Sequence, residues 1–271
     1  MLLENKNAVV YGGGGAIGGA VARAFAREGA RVFLAGRTLA SLDAVAGEIR
    51  ARGGWAETAA VDALDEKAVE EHADAVVKSA GSVDVSFNAI SIRGDLQGTA
   101  LIDMTLSDFA LPISIGTTAH FLTARAAGRR MAERGSGVIL TLSTPAPALS
   151  GRDRRFHRTG GLGPACAAIR ELTKQLAGEL GPQGVRAVCL MPDAIPEAWL
   201  GDPQDGPTVP GEEDSTGADA RRALAYMQDG TLLGRLPRLQ EVANAAAFIA
   251  SDRAGAMTGT VANLTCGSIV D

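Results

Sequence analysis

Cysteine, tyrosine and lysine are all scarce in this chain of 271 residues. The three cysteines, Cys166, Cys189 and Cys266, form no Cys-x-x-Cys, and no His-x-x-x-His occurs. Without such spacings a structural metal site is not expected. Few thiols in odd number fit a reducing compartment. No apolar run reaches the roughly 20 residues that span a bilayer. The opening Met1-Leu2-Leu3-Glu4-Asn5-Lys6 is too short and too charged for a signal peptide. A cytoplasmic protein with no membrane partner is therefore expected. No basic block stands out and the net charge is −5, which argues against nucleic acid as a partner. The 34 glycines follow no Gly-X-Y period, so they belong to turns and close backbone approaches.

Hydrophobic residues make up 46% and charged residues 21%, a globular balance that excludes a mostly disordered chain. The length suits one large α/β domain over residues 1–271. Residues 8–11 read as a buried strand, followed by a glycine cluster and a helix over 17–28 that Gly29 closes. Further strands are predicted over 31–35, 55–61, 83–87, 137–142, 185–190 and 260–264, with helical patterns between most of them. Apolar strands alternating with helices imply a seven-stranded parallel sheet covered on both faces, a doubly wound Rossmann fold. Residues 195–217 break the rhythm with Pro196, Pro203, Pro207 and Pro210, and a helix over 218–229 follows. A connection this long points to a substrate lid or binding loop over about 195–230.

The first strand runs into Gly12-Gly13-Gly14-Gly15-Ala16-Ile17-Gly18 and then a helix. Gly13, Gly15 and Gly18 spell Gly-x-Gly-x-x-Gly in the strand-to-helix position where a dinucleotide's pyrophosphate binds. Glycine permits the tight turn and lets the backbone approach the phosphates, and the helix N-terminus offers N–H groups and partial positive charge. After the second strand, an acidic residue would bond the ribose 2′-hydroxyl of NAD. This chain has Gly36-Arg37-Thr38 there. A guanidinium pairs with a 2′-phosphate, so the expected cofactor is NADP(H).

With these residues the chain resembles the short-chain dehydrogenase/reductase family over nearly its whole length. Tyr11-Gly12-x-x-x-Ala16-Ile17-Gly18 resembles the family's Thr-Gly-x-x-x-Gly-Ile-Gly, with Tyr11 and Ala16 as departures. Asp62 matches the adenine-binding aspartate, and Phe87-Asn88-Ala89-Ile90 half-keeps Asn-Asn-Ala-Gly. Leu176-Ala177-Gly178-Glu179-Leu180 and Gly184-Val185-Arg186 resemble the helix and strand after the active site. Met191-Pro192-Asp193 stands where the family has x-Pro-Gly beside the nicotinamide, and Ser251-Asp252 and Thr258-Gly259 resemble its C-terminal signature. The resemblance implies cofactor contacts at Gly12, Gly14, Gly15, Ile17, Gly18, Arg37, Thr38, Asp62, Ala63, Asn88, Ala89, Pro192 and Ile195.

Catalytic residues do not carry over in the same way. The family uses Asn, Ser, Tyr and Lys, with Tyr-x-x-x-Lys on one helix face. Counting back from Leu176-Ala177-x-Glu179, the Tyr position falls on Leu162 and the Lys position on Cys166. The only tyrosines are Tyr11 and Tyr226, and neither has Lys four residues on. The Asn position falls on Gly116 and the Ser position on Thr144, next to Ser143. Thr144 and Ser143 either bond a substrate oxygen or cap a strand end. Cys166 is either a weak acid or a small buried apolar residue. His157, in a basic loop, is an acid/base candidate or a solvated histidine, and His72 and His120 fit structural roles in helices.

Three functional classes follow for a protein acting on a small molecule. One is an NADP(H)-dependent oxidoreductase with altered proton delivery, suited to an iminium or an activated alkene. The second is a non-redox isomerase or cyclase. The third is a cofactor-binding or scaffold protein with little catalysis. Ala119, Ala124, Ala126 and Ala127 on one predicted helix, and Ala167 and Ala168 on another, either permit close pairing of two copies or face their own sheet. Members of the resembled family often pair through these two helices, so the resemblance implies a homodimer or homotetramer, read by light scattering at micromolar concentration; a monomer there overturns it.

Overall fold

The computed structural model describes residues 1–92, 96–146, 158–200 and 216–270. Its elements run β1 (Asn7–Tyr11), α1 (Ala16–Arg27), β2 (Arg31–Gly36), α2 (Leu39–Ala51), β3 (Trp55–Ala60), α3 (Glu66–Ala80), β4 (Val85–Asn88) and α4 (Leu106–Arg134). There follow β5 (Gly137–Leu142), α5 (Leu162–Leu180), β6 (Val185–Pro192), α6 (Pro196–Leu200), α7 (Thr216–Asp229), α8 (Leu239–Ala250) and β7 (Thr260–Leu264). All seven strands are parallel and lie in the order β3-β2-β1-β4-β5-β6-β7. The direction of winding reverses between β1 and β4, which opens a crevice at the carboxyl ends of the strands there.

Strand side chains alternate between two cores. Ala8, Val10, Val32, Leu34, Val85 and Phe87 pack under α1, α2 and α8, where Val21, Phe25, Leu42, Val45 and Ala246 meet them. Val9, Tyr11, Phe33, Ala35 and Ile139 pack on the other side against Val69 and Val76 of α3 and Ala124 and Met131 of α4. Burial on both faces is why the inner strands read as continuous apolar runs. On the surface, Arg125 pairs with Glu66 and Arg129 with Glu70, joining α4 to α3.

The boundaries differ from the expected ones in small ways. Asp84 already joins the ladder through its backbone, donating to the Asn7 carbonyl at 2.9 Å, and β4 extends to Asn88. β6 continues through Met191 to Pro192, because both pair with β7. The expected lid resolves partly into α6, which packs against α1 and α7. Residues 201–215 of that segment lie outside the described residues, as does His157. Ala119, Ala124, Ala126 and Ala127 are buried within this chain, so they face their own core. Ala167 is exposed. No described helix is long and apolar enough to cross a membrane.

Candidate functional site

The turn between β1 and α1 is set by backbone contact. Gly12 has φ +76°, and a Cβ there would stand 2.6 Å from the Ala89 carbonyl oxygen. A Cβ on Gly18 would collide with the Gly12 carbonyl, and one on Gly14 would collide with Ser41. These glycines are therefore required by sterics. Gly15 differs: nothing lies closer than 3.4 Å to a Cβ placed there. It N-caps α1 with no side-chain bond, and the first turn holds no acidic residue. The N–H groups of Ala16, Ile17 and Gly18 bond to no acceptor among the described residues. An open helix start of this kind offers donors and partial positive charge that suit an anion.

Beyond β2 and β3 lie Arg37 and Asp62, both exposed. Arg37 makes no hydrogen bond or ion pair among the described residues, so its guanidinium is free to meet a phosphate. Thr38 begins α2, its carbonyl accepting from the Ser41 hydroxyl at 2.9 Å. Asp62 accepts from the Leu64 N–H at 3.0 Å, and the neighbouring Ala63 is buried.

On the other side of the switch point, Asn88 has a structural task. Its amide donates to the Ala119 carbonyl at 3.1 Å and to the Thr123 hydroxyl at 2.8 Å, and its carbonyl oxygen accepts from the Ile90 N–H at 2.9 Å. That side chain ties β4 to α4. Ala89 donates to the Tyr11 carbonyl and so carries the β1–β4 pairing one step further. Pro192 ends β6, and the Ile195 carbonyl opens α6 by accepting from Ala198 and Trp199.

Leu162 and Cys166 are brought together on α5 with Ala146 and Ile92 in a small apolar cluster. A Cβ on Gly116 would stand 3.2 Å from Ile92 Cδ1 and 3.5 Å from Ile169 Cδ1, so apolar atoms fill the space beside it. Ser143 is buried and donates to the Cys166 carbonyl at 3.2 Å. Thr144 Oγ1 accepts from the Ala146 N–H at 3.2 Å and lies 3.6 Å from Cys166 Sγ. Both hydroxyls are thus engaged with neighbouring protein groups. Cys189, on β6, is pushed up to about 11 by burial and stays a thiol at neutral pH.

Sequence reasoning missed Arg170, one turn beyond Cys166. Its Nη1 donates to the Thr144 carbonyl at 3.0 Å and lies 3.4 Å from Ser143 Oγ and 3.8 Å from Met191 Sδ. It is half-buried and has no carboxylate partner among the described residues. A basic residue four positions after Cys166, on the same helix face, was the available signal. Asp193 is the second omission as a charged group. It is 7% exposed, its Oδ1 accepts from the Ala194 N–H at 2.8 Å, and its Oδ2 is buried with no partner among the described residues. A groove lined by Leu232, Arg235, Val242 and Cys266 shares none of these residues. The described residues contain no cluster able to hold a metal ion.

Comparison with known proteins agrees with the fold. A family profile described as enoyl-(acyl carrier protein) reductase matches residues 14–268. An uncharacterized oxidoreductase, YxbG of Bacillus subtilis, is 32% identical over 257 residues, 95% of this chain and 88% of that protein. L-rhamnose 1-dehydrogenase (NAD(P)(+)) of Azotobacter vinelandii is 32% identical over 265 residues, 96% of this chain and 94% of its own. The crystal structure of a short-chain type dehydrogenase/reductase from Mycobacterium marinum superposes with TM-score 0.81 at 27% identity, covering 98% of this chain and 96% of that one.

His120 sits one turn beyond Gly116, buried, with Nδ1 2.9 Å from the Gly116 carbonyl and Nε2 3.4 Å from the Leu142 N–H. A carbonyl can only accept, so Nδ1 carries the proton and the ring is neutral. Burial lowers its pKa to about 4, and does the same for His72. An unfolded histidine titrates near 6.5. The unfolded chain therefore takes up the proton first, and stability present above about pH 6.5 falls as pH drops toward 4. The slope contributed by His120 is up to ~1.4 kcal/mol per pH unit. Denaturant midpoints measured across that range should fall less steeply in His120→Gln than in the unaltered protein; equal slopes overturn the assignment.

Proposed function

The chain belongs to the short-chain dehydrogenase/reductase family, and on that premise we propose that it is an NADP(H)-dependent oxidoreductase in which the proton is not delivered by a Tyr-Lys pair. The observation that carries this reading is the bare N-terminus of α1, open over Gly15, with the unpaired Arg37 beyond the neighbouring strand. The donor set fits a phosphorylated dinucleotide. Gly12, Gly14, Gly15, Ile17 and Gly18 supply backbone to the pyrophosphate, and Arg37 and Thr38 receive the 2′-phosphate. Asp62 and Ala63 border the adenine. Ala89, Pro192 and Ile195 border the nicotinamide, and Asn88 holds the strand beneath it. A bound nicotinamide supplies or accepts the hydride.

The protein's own residues decide which substrates such a site can serve. Leu162 has no proton to give, and Cys166 lies in an apolar cluster with Leu162 and Ile92. Thr144 is the hydroxyl best placed to bond a small-molecule substrate, since its Oγ1 lies beside Cys166 Sγ and Arg170 holds its carbonyl. A substrate that needs no protonation at oxygen, such as an iminium or an activated alkene, suits this arrangement. The reading includes a cytoplasmic homodimer or homotetramer. A second reading, a cofactor-binding or non-redox protein on the same fold, is favoured by the filled space beside Gly116.

The cofactor preference is tested by titration with NADPH and NADH. One or two charge-assisted hydrogen bonds from Arg37 should favour NADP(H) on the order of tenfold or more, and Arg37→Ala should remove most of that preference. Equal affinity of the unaltered protein for both overturns it. The proton-delivery reading is tested with NADPH and a panel of simple ketones, imines and enones. Losing a positioned general acid costs on the order of 10²–10⁴-fold, so ketone turnover should be very slow while NADPH still binds. Ketone turnover near the ~10 s⁻¹ enzyme median would overturn the reading. Binding without turnover of any class favours the second reading.

A further inference from the structure

Among the described residues two buried carboxylate oxygens have no hydrogen-bond partner, Asp193 Oδ2 and Glu197 Oε2, and they lie four residues apart in sequence. Asp193 is 93% buried by the complement of its 7% exposure. Its other oxygen is held by the N–H of the next residue, which fixes the carboxylate against the chain turn after β6. No lysine, arginine or histidine bonds to it among the described residues. Arg170, which reaches Met191 Sδ at 3.8 Å, gives its hydrogen bond to the Thr144 carbonyl instead. A buried acceptor left unsatisfied is costly, and a native one calls for an explanation.

The fold supplies the explanation. A dinucleotide lies across the carboxyl edge of a doubly wound sheet, its pyrophosphate at the first helix and its two halves on opposite sides of the switch point. Arg37 and Asp62 follow β2 and β3 on one side. The other half falls at the ends of β4, β5 and β6, and Asp193 is the residue that follows β6. The segment then turns into α6, which packs back against α1. Asp193 thus stands on the span between the nicotinamide half and the pyrophosphate helix. An oxidised nicotinamide ring carries a positive charge and the reduced ring carries none.

We propose that Asp193 sets the balance between oxidised and reduced cofactor, its unpartnered carboxylate favouring the cationic nicotinamide over the neutral one. The inference rests on the cofactor reading above and adds to it a residue that selects redox state. Stabilising the oxidised form makes the bound reduced cofactor a stronger hydride donor, which matches a site with little acid to assist the substrate.

The test is the pair of dissociation constants for NADP⁺, by calorimetry, and NADPH, by its fluorescence, or for NAD⁺ and NADH if only that pair binds. Asp193→Asn keeps the shape and the acceptor for Ala194 but removes the charge. It should weaken the oxidised form on the order of tenfold relative to the reduced form, from the loss of one nearby charge. Asp193→Gly, the second variant, should shift the ratio in the same direction and serves if the first does not fold; Asp193→Glu should retain the original ratio. A ratio unchanged in both neutral variants overturns this inference alone, with cofactor binding intact. Failure of the unaltered protein to bind any nicotinamide dinucleotide overturns the cofactor reading and this inference together.

Discussion

The backbone contact between Gly18 and Gly12 governs the geometry of the nucleotide side of the molecule. The first turn of α1 sits so close to the end of β1 that no Cβ fits at residue 18. Gly12 in turn presses on Ala89, the residue after β4. Three elements on the two sides of the switch point are thereby held at backbone distance. A helix at ordinary side-chain distance would set its N–H groups further from the crevice. The contact keeps them at its edge, where they can meet an anion.

Polarity divides the crevice into unlike halves. Around β1, β2 and β3 the donors are free: helix N–H groups and an exposed guanidinium. Around β5 and α5 the Ser143 and Thr144 hydroxyls are engaged with neighbouring protein groups, and Leu162, Cys166, Ala146 and Ile92 pack together. One half leaves polar donors open to a ligand and the other packs apolar side chains together, as happens where a shared fold carries sites that vary independently.

The legible features were those with local causes. The glycine loop could be read because sterics leave a single residue type at positions such as Gly12 and Gly18. The strands could be read because burial on both faces writes an uninterrupted apolar run. Arg37 lies exposed after β2, where its place in the sequence puts it. Asn88 was recognised by its motif, but its task as a tie to α4 depends on Ala119 and Thr123, more than thirty residues away. Arg170 reaches the chain just after β5 and Met191 of β6; its place on the Cys166 face of α5 marks the helix side but not those partners. Asp193 stood out as a departure from Pro-Gly, yet the isolation of its second oxygen is a property of three-dimensional packing. The alanines of α4 had two readings of equal chemical sense, and burial selected the one facing the core.

The filled space beside Gly116 also limits what the helix can accept there. Any side chain larger than glycine there meets Ile92 and Ile169, and Ile92 also packs in the cluster with Leu162 and Cys166. Those two isoleucines belong to different elements, one on the chain after β4 and the other on α5. A larger residue at 116 would therefore strain two packing partners at once, so a single exchange in α4 is felt on both the loop and the helix that border it.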